Sequence, residues 1–96
     1  MRLAYHPLVQ REVSKILRHY DRISKPLGDA FWAELTRLIE LVSAKPERFH
    51  FADRGLRRAN LRRFPYHLLF REKVDGIRVI VLRHNKRHPN YGTARE

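Results

Sequence analysis

The chain contains no cysteine. Disulfides, thiolate metal sites and a cysteine nucleophile are thereby excluded, and a reducing compartment fits. Long apolar runs are missing too. Nothing approaches the roughly 20 residues that a membrane-spanning helix needs, and Met1 to Pro7 lacks the apolar stretch of a secretory signal. A cytoplasmic protein without a membrane partner is therefore expected. No internal repeat, low-complexity tract or Gly/Ser linker divides the sequence, so residues 1–96 are expected to form one domain with apolar content adequate for one core. Acidic residues are few, ten against 21 Lys and Arg, which leaves a formal net charge of +11.

That positive charge is unevenly placed. Residues 1–53 carry nine Lys/Arg against seven Asp/Glu, a net of +2, whereas residues 54–96 carry twelve against three, a net of +9. Such an asymmetry marks an electrostatic footprint for nucleic acid or an acidic partner.

The most structured signal lies in the basic half. Asp75-Gly76 sits between two apolar-alternating runs, and both central residues of a type I′ hairpin turn need positive φ. With Asp75 and Gly76 as the loop, Val74 faces Ile77, Phe70 faces Val81, Leu69 faces Leu82 and His67 faces His84. The period of two along a strand then puts Tyr66, Leu68, Phe70, Val74, Ile77, Val79 and Val81 on one apolar face. His67, Leu69, Arg71, Lys73, Arg78, Ile80, Leu82 and His84 fall on the other, which mixes imidazoles, cations and apolar area as a binding surface would. A merely solvated face is the alternative.

Upstream, Arg2-Leu3-Ala4-Tyr5-His6 alternates as a short strand stopped at Pro7, itself well placed as the first residue of a helix. Val9, Val13, Ile16, Leu17, Tyr20 and Ile23 form one amphipathic stripe. Lys25-Pro26-Leu27-Gly28 is expected to break the helix, with Asp29 as N-cap of a second. That second helix buries Phe31, Leu35, Leu38, Ile39 and Val42 and ends before Pro46, with Trp32 beside its buried stripe. Arg11, Lys15, Arg18 and Arg22 share a side of the first helix, expected to be solvated. Phe49 to Arg54 reads as a loop and Leu56 to Arg63 as an arginine-rich strand. Pro65, unable to donate to a ladder, belongs at the break before the next strand. The order is β-α-α-β-β-β, an α+β fold whose helical hairpin covers one face of a mainly antiparallel sheet. The opposite face is left open, and residues 85–96 form a basic C-terminal tail.

Several motifs in this order resemble the RelE/ParE toxin family of bacterial type II toxin–antitoxin, or plasmid stabilisation, modules. They are Tyr5-His6-Pro7, Leu27-Gly28 then Phe31, Lys45-Pro46-Glu47-Arg48-Phe49, Leu61-Arg62-Arg63-Phe64-Pro65-Tyr66, and His84-Asn85-Lys86-Arg87-His88-Pro89. The resemblance implies a small toxin held inactive in a hetero-oligomer by a cognate antitoxin. Members resembling RelE cut messenger RNA on the ribosome, and members resembling ParE inhibit DNA gyrase without cutting RNA. A third implied possibility is an inactive antitoxin-binding module.

Metal-free RNA cleavage needs a proton acceptor, a proton donor and cations that stabilise the phosphorane. His67, His84, Arg87 and Tyr91 are the candidate catalytic residues. His67 stands where RelE-like nucleases carry an arginine, and its imidazole titrates near neutral pH. Arg87 matches the arginine that would hold the scissile phosphate, and Tyr91 the tyrosine that would stack on a base or take part in proton transfer. Arg57, Arg58, Arg62, Arg63, Arg71, Lys86 and His88 are the candidate nucleic-acid contacts. Arg57, Arg58, Arg62 and Arg63 occupy the region where RelE-type nucleases place catalytic lysines, but arginine stays charged and carries protons poorly. No cofactor is expected, and His84 and His88 lack the carboxylate or helix that would make them a zinc site.

Overall fold

The computed structural model describes residues 2–96. Strand β1 (Arg2–Tyr5) leads into α1 (Pro7–Ile23) and α2 (Lys25–Ala44). A short 3₁₀ turn (Pro46–Arg48) precedes β2 (Phe51–Asp53), β3 (Leu56–Asn60), β4 (Tyr66–Lys73) and β5 (Gly76–His84). The strands form one sheet in the order β1-β5-β4-β3-β2, with β1 parallel to β5 and every other pair antiparallel. The α+β class and the helical hairpin on one sheet face follow the sequence reading, with one strand more than expected.

Local chemistry explains where the helices begin and end. Pro7 is the first helical residue, and the His6 ring accepts from Leu8 N at 3.1 Å as the N-cap. Ser24 serves both helices: its N–H closes α1 on Tyr20 O, and its Oγ accepts from Leu27 N at 3.2 Å to open α2. The second helix therefore starts at Lys25, four residues before the expected N-cap Asp29. Gly28 lies inside α2 instead of breaking the chain, because a Cβ there would stand 1.7 Å from Asp21 Oδ1 on α1. A side chain there would have to push the Asp21 carboxylate aside.

The helix-covered face is closed by apolar packing. Val9, Ile16, Phe31, Leu35, Leu38 and Val42 from the helices meet Ala59, Leu68, Phe70, Ile77, Val79 and Leu82 from the sheet, all buried. Tyr20, Phe31, Phe64 and Tyr66 interlock largely edge to face with centroids 4.8 to 6.4 Å apart, and each such pair contributes about 0.5–1.5 kcal/mol beyond burial. Ile23, expected on the stripe, is 61% exposed at the last position of α1, and Trp32, expected beside the core, is 50% exposed.

The hairpin register differs from expectation. Lys73 pairs with Gly76, so Val74 and Asp75 form the loop, and neither has positive φ. Gly76 serves another purpose: β1 passes so close that a Cβ would lie 2.1 Å from Arg2 O. A β-bulge at Ile80 then shifts the ladder by one, giving Leu69↔Val81, Leu68↔Leu82, His67↔Arg83 and Tyr66↔His84. Leu82 consequently joins the helix-side core, and Val81 joins Leu56, Leu69 and Ile80 on the other face.

The expected loop after the 3₁₀ turn contains β2, joined to β3 by Arg54-Gly55 with φ of 52° and 74°. Positive φ at both loop residues thus occurs at this hairpin and not at Asp75-Gly76. Arg62, Arg63 and Pro65 lie beyond β3 in a loop whose Arg62 and Arg63 N–H groups donate to the Glu34 carboxylate on α2. The second sheet face is not open either. Residues 85–96 fold back over it, with Tyr91 packed on the four aliphatic residues and Thr93 buried.

Candidate functional site

β1 covers β5 only from Gly76 to Val79, which leaves the second half of β5 with a free edge. Side chains satisfy it. Leu82 N donates to Glu12 Oε1 on α1 at 3.1 Å, and Arg95 Nη1 donates to Ile80 O at 3.2 Å. Arg95 Nη1 also donates to Glu12 Oε1 at 3.1 Å, and its Nη2 stands 2.9 Å from Oε2 in a charge contact outside hydrogen-bond geometry. Beside this capped edge, between α1 and the C-terminal segment, lies a cleft of about 320 Å³. Lys15, His19, Tyr66, His84, Arg87 and Tyr91 line it, together with Glu12 and Arg83.

Three of the four expected catalytic residues meet there. The His84 ring lies edge-on to Tyr66 with centroids 5.1 Å apart, and its Nδ1 accepts from Lys86 N at 3.0 Å. The neutral ring therefore carries its proton on Nε2 and acts as a donor. Arg87 N donates to His84 O at 2.9 Å, closing the turn that places the Arg87 guanidinium 4.0 Å above the Tyr91 ring. Burial raises the Tyr66 phenol above its ordinary value, so it is protonated at neutral pH.

His67, the fourth, is elsewhere. The bulge gives it Arg83 as cross-strand partner, and His84 takes Tyr66, so the two imidazoles face opposite sides of the sheet. His67 is 1% exposed. Arg83 Nε donates to His67 Nε2 at 2.9 Å, and a guanidinium accepts nothing, so the ring proton sits on Nδ1 and is donated to Asn85 Oδ1 at 2.8 Å. Burial lowers the imidazole to about 4, and the charges of Arg58 and Arg83 oppose protonation further, although Asn85 favours it. A ring so held does not exchange protons with a substrate. Its work is to orient Arg83, whose Nη1 donates to Pro89 O at 2.8 Å and Tyr91 O at 2.9 Å.

The expected nucleic-acid contacts do not form a single patch. Arg57 lies on the helix side, donating to Phe49 O at 2.6 Å and standing 3.3 Å from Glu72. Arg58 donates to Asn60 Oδ1 on the other face, and Arg71 faces Arg78 there, a like-charged cross-strand pair. Arg62, Arg63, Lys86 and His88 are exposed at the end of the sheet that holds the cleft, where Asn85 N donates to Pro65 O at 2.8 Å.

Sequence reasoning missed His19 and Arg83 and assigned Lys15 to solvent. Lys15 and His19 are one helical turn apart, and that spacing was the available signal. His19 touches Tyr20 edge-on at 5.0 Å, and neither ring nitrogen has a hydrogen bond among the described residues.

Among the described residues, no three His, Asp or Glu side chains converge on a metal position, and no helix is long and apolar enough to cross a membrane. What the fold defines is an α+β protein, two helices on a five-stranded mixed sheet, with a cationic, imidazole-bearing cleft at one end of its central strands. No family model and no curated protein matches the chain.

Proposed function

We propose that the chain is the toxin of a type II toxin–antitoxin module of the RelE/ParE kind, and that it arrests growth by cutting messenger RNA on the ribosome. The supporting observation is the convergence of His84, Arg87 and Tyr91 with His19 and Lys15 in one cleft. In this reading His19 accepts the 2′-hydroxyl proton and the 2′-oxygen attacks the adjacent phosphorus, while the P–O5′ bond breaks to leave a 2′,3′-cyclic phosphate and the departing 5′-oxygen takes a proton from water. Arg87 and Lys15 offset the charge of the phosphorane, and His84 Nε2–H donates to a phosphoryl oxygen. Tyr91 holds the Arg87 guanidinium over its ring. The exposed Arg62, Arg63, Lys86 and His88 supply contacts along the RNA backbone. An antitoxin chain would cover the apolar groove between the helices, where Tyr5, Val13, Leu17 and Trp32 line about 750 Å³.

One observation favours a second reading, a non-enzymatic inhibitor of DNA gyrase. His67, one of the expected proton carriers, is buried and locked away from the cleft. Induction of the chain alone separates the two. The nuclease reading expects an early stop in amino-acid incorporation with cut transcripts, relieved by His19→Ala. Translation that continues while supercoiling changes and double-strand breaks accumulate would replace it with the gyrase reading.

A further inference from the structure

We infer that Arg83 forms the floor of a phosphate seat in this cleft, with Lys15 and His19 on the α1 wall and Arg87 on the C-terminal wall. The starting observation is a buried charge without a counter-charge. Arg83 is 8% exposed, and no carboxylate lies within ion-pair distance of it among the described residues. Its partners are neutral: the His67 ring on Nε, and the carbonyls of Pro89 and Tyr91, with His88 O at 3.5 Å, on Nη1. Nη2 makes no hydrogen bond among the described residues. A desolvated cation compensated only by dipoles is unfavourable, and an anion entering the cleft would correct it. Burial and the nearby charge of Arg58 already push the guanidinium below its ordinary value, and the field of Asp53 offsets this only in part.

The donor geometry selects the anion. A carboxylate is held best by a free guanidinium fork, two parallel N–H groups meeting two oxygens. Nε and Nη1 of Arg83 are already committed, so one nitrogen remains. The other donors come from Lys15, His19, His84 and Arg87, spread around a cavity of about 320 Å³. Several single donors on different walls suit a tetrahedral oxyanion better than a flat one. Glu12 also lines the cleft, but Arg95 neutralises it and Leu82 N occupies one of its oxygens. This deepens the reading of the cleft as an RNA site, and rests on it only in taking the phosphate for one in a nucleic-acid backbone.

The test is a titration of the intact protein with inorganic phosphate, and separately with acetate at equal ionic strength, followed by the side-chain resonances of Arg83 Nε, Arg87 Nε and the His19 ring. Saturable phosphate shifts at these groups, with acetate much weaker, are expected. Lys15→Ala, an exposed change without risk to the fold, should weaken phosphate binding about fivefold, as loss of one charge contact does. Arg83→Lys, which keeps the charge but not the fork, should weaken it further. Shifts scattered without saturation over Arg11, Arg18, Arg62 and Arg63 would overturn the seat, as would equal binding by Lys15→Ala. Acetate binding as well as phosphate would replace it with a carboxylate site for a protein partner. A chain that arrests growth yet binds no phosphate here loses the seat alone; one that binds phosphate here yet leaves growth and transcripts intact keeps the seat and loses the nuclease reading.

Discussion

The two faces of the sheet are closed by different forces. On one, two helices bury a continuous aromatic and aliphatic core. On the other, four aliphatic residues are covered by residues 85–96, Tyr91 among them, whose path is held by Arg83 donating to the carbonyls of Pro89 and Tyr91 and by Arg95 donating to Ile80 O and Glu12. Apolar closure is strong and non-directional, so it fixes the layers without fixing a particular side-chain geometry at the edge. Hydrogen bonds to Arg83 are directional, and they set where Arg87 and Tyr91 stand relative to α1. Stability resides mainly on the first face and the shape of the cleft on the second.

The largest effect that would break this contrast belongs to the apolar face. Phe31 is fully buried against Tyr20, Phe64 and Tyr66, so Phe31→Ala should destabilise the fold by about 3–5 kcal/mol in urea denaturation. A loss under 1 kcal/mol would place the stabilising core elsewhere. Arg83→Met comes next. It leaves the carbonyls of Pro89 and Tyr91 and the ring of His67 without their donor, which costs about 2 kcal/mol. The informative readout is local: amides of residues 88–93 should exchange faster while those of α2 keep their order. Uniform acceleration would mean that the two faces are not separable.

This division explains how far the sequence could be read. Both helices were legible because a stripe at three and four residue spacing survives any detail of packing, though Ser24 rather than Asp29 opens the second. The β4-β5 hairpin was legible as an element and not as a register. Asp75-Gly76 has the composition of a turn, but Gly76 is there because the backbone of β1 crosses it, a contact 74 positions away along the chain that no local pattern reports. The bulge at Ile80 then moved His67 and His84 to opposite faces. His84, Arg87 and Tyr91 were found together because one turn gathers neighbours in sequence. His19 was hidden on what looks like a wet helix face, since the C-terminal segment that makes it a wall is distant in sequence and has no periodicity of its own.

A smaller change sharpens the contrast on the second face alone. Gly92 has φ of 78°, and a Cβ there would stand 2.8 Å from Val81 Cγ2. Val81 is buried and β-branched, so it yields little. Gly92→Ala should lower stability by about 1–2 kcal/mol through the left-handed backbone, and displace Tyr91 enough to weaken its stacking on Arg87. Loss of growth arrest with nearly native stability would show that this face holds function more than it holds the fold.

The smallest effect at neutral pH is the most specific to the polar closure. His67 has a folded-state pKa of about 4 against 6.5 for an ordinary imidazole, with burial the leading cause. Between those values the unfolded chain binds the proton and the folded chain does not, so stability rises with pH across this window. The contribution is complete above pH 6.5, declines as pH falls towards 4, and is gone below it, with a slope from this one group of at most about 1.4 kcal/mol per pH unit. Protonation places a hydrogen on Nε2 against Arg83 Nε–H, so the bond that orients the guanidinium fails first. Acidification from pH 7 to 4 should therefore release residues 85–96 before the helix-covered core melts, seen as early exchange of their amides and quenching changes at Tyr91. His67→Gln, whose amide oxygen accepts from Arg83 at any of these pH values, should flatten that slope, leaving the acid sensitivity of the rest unchanged. A slope identical in the variant would assign it to another of the six histidines or to the carboxylates, and would detach His67 from the control of the cleft.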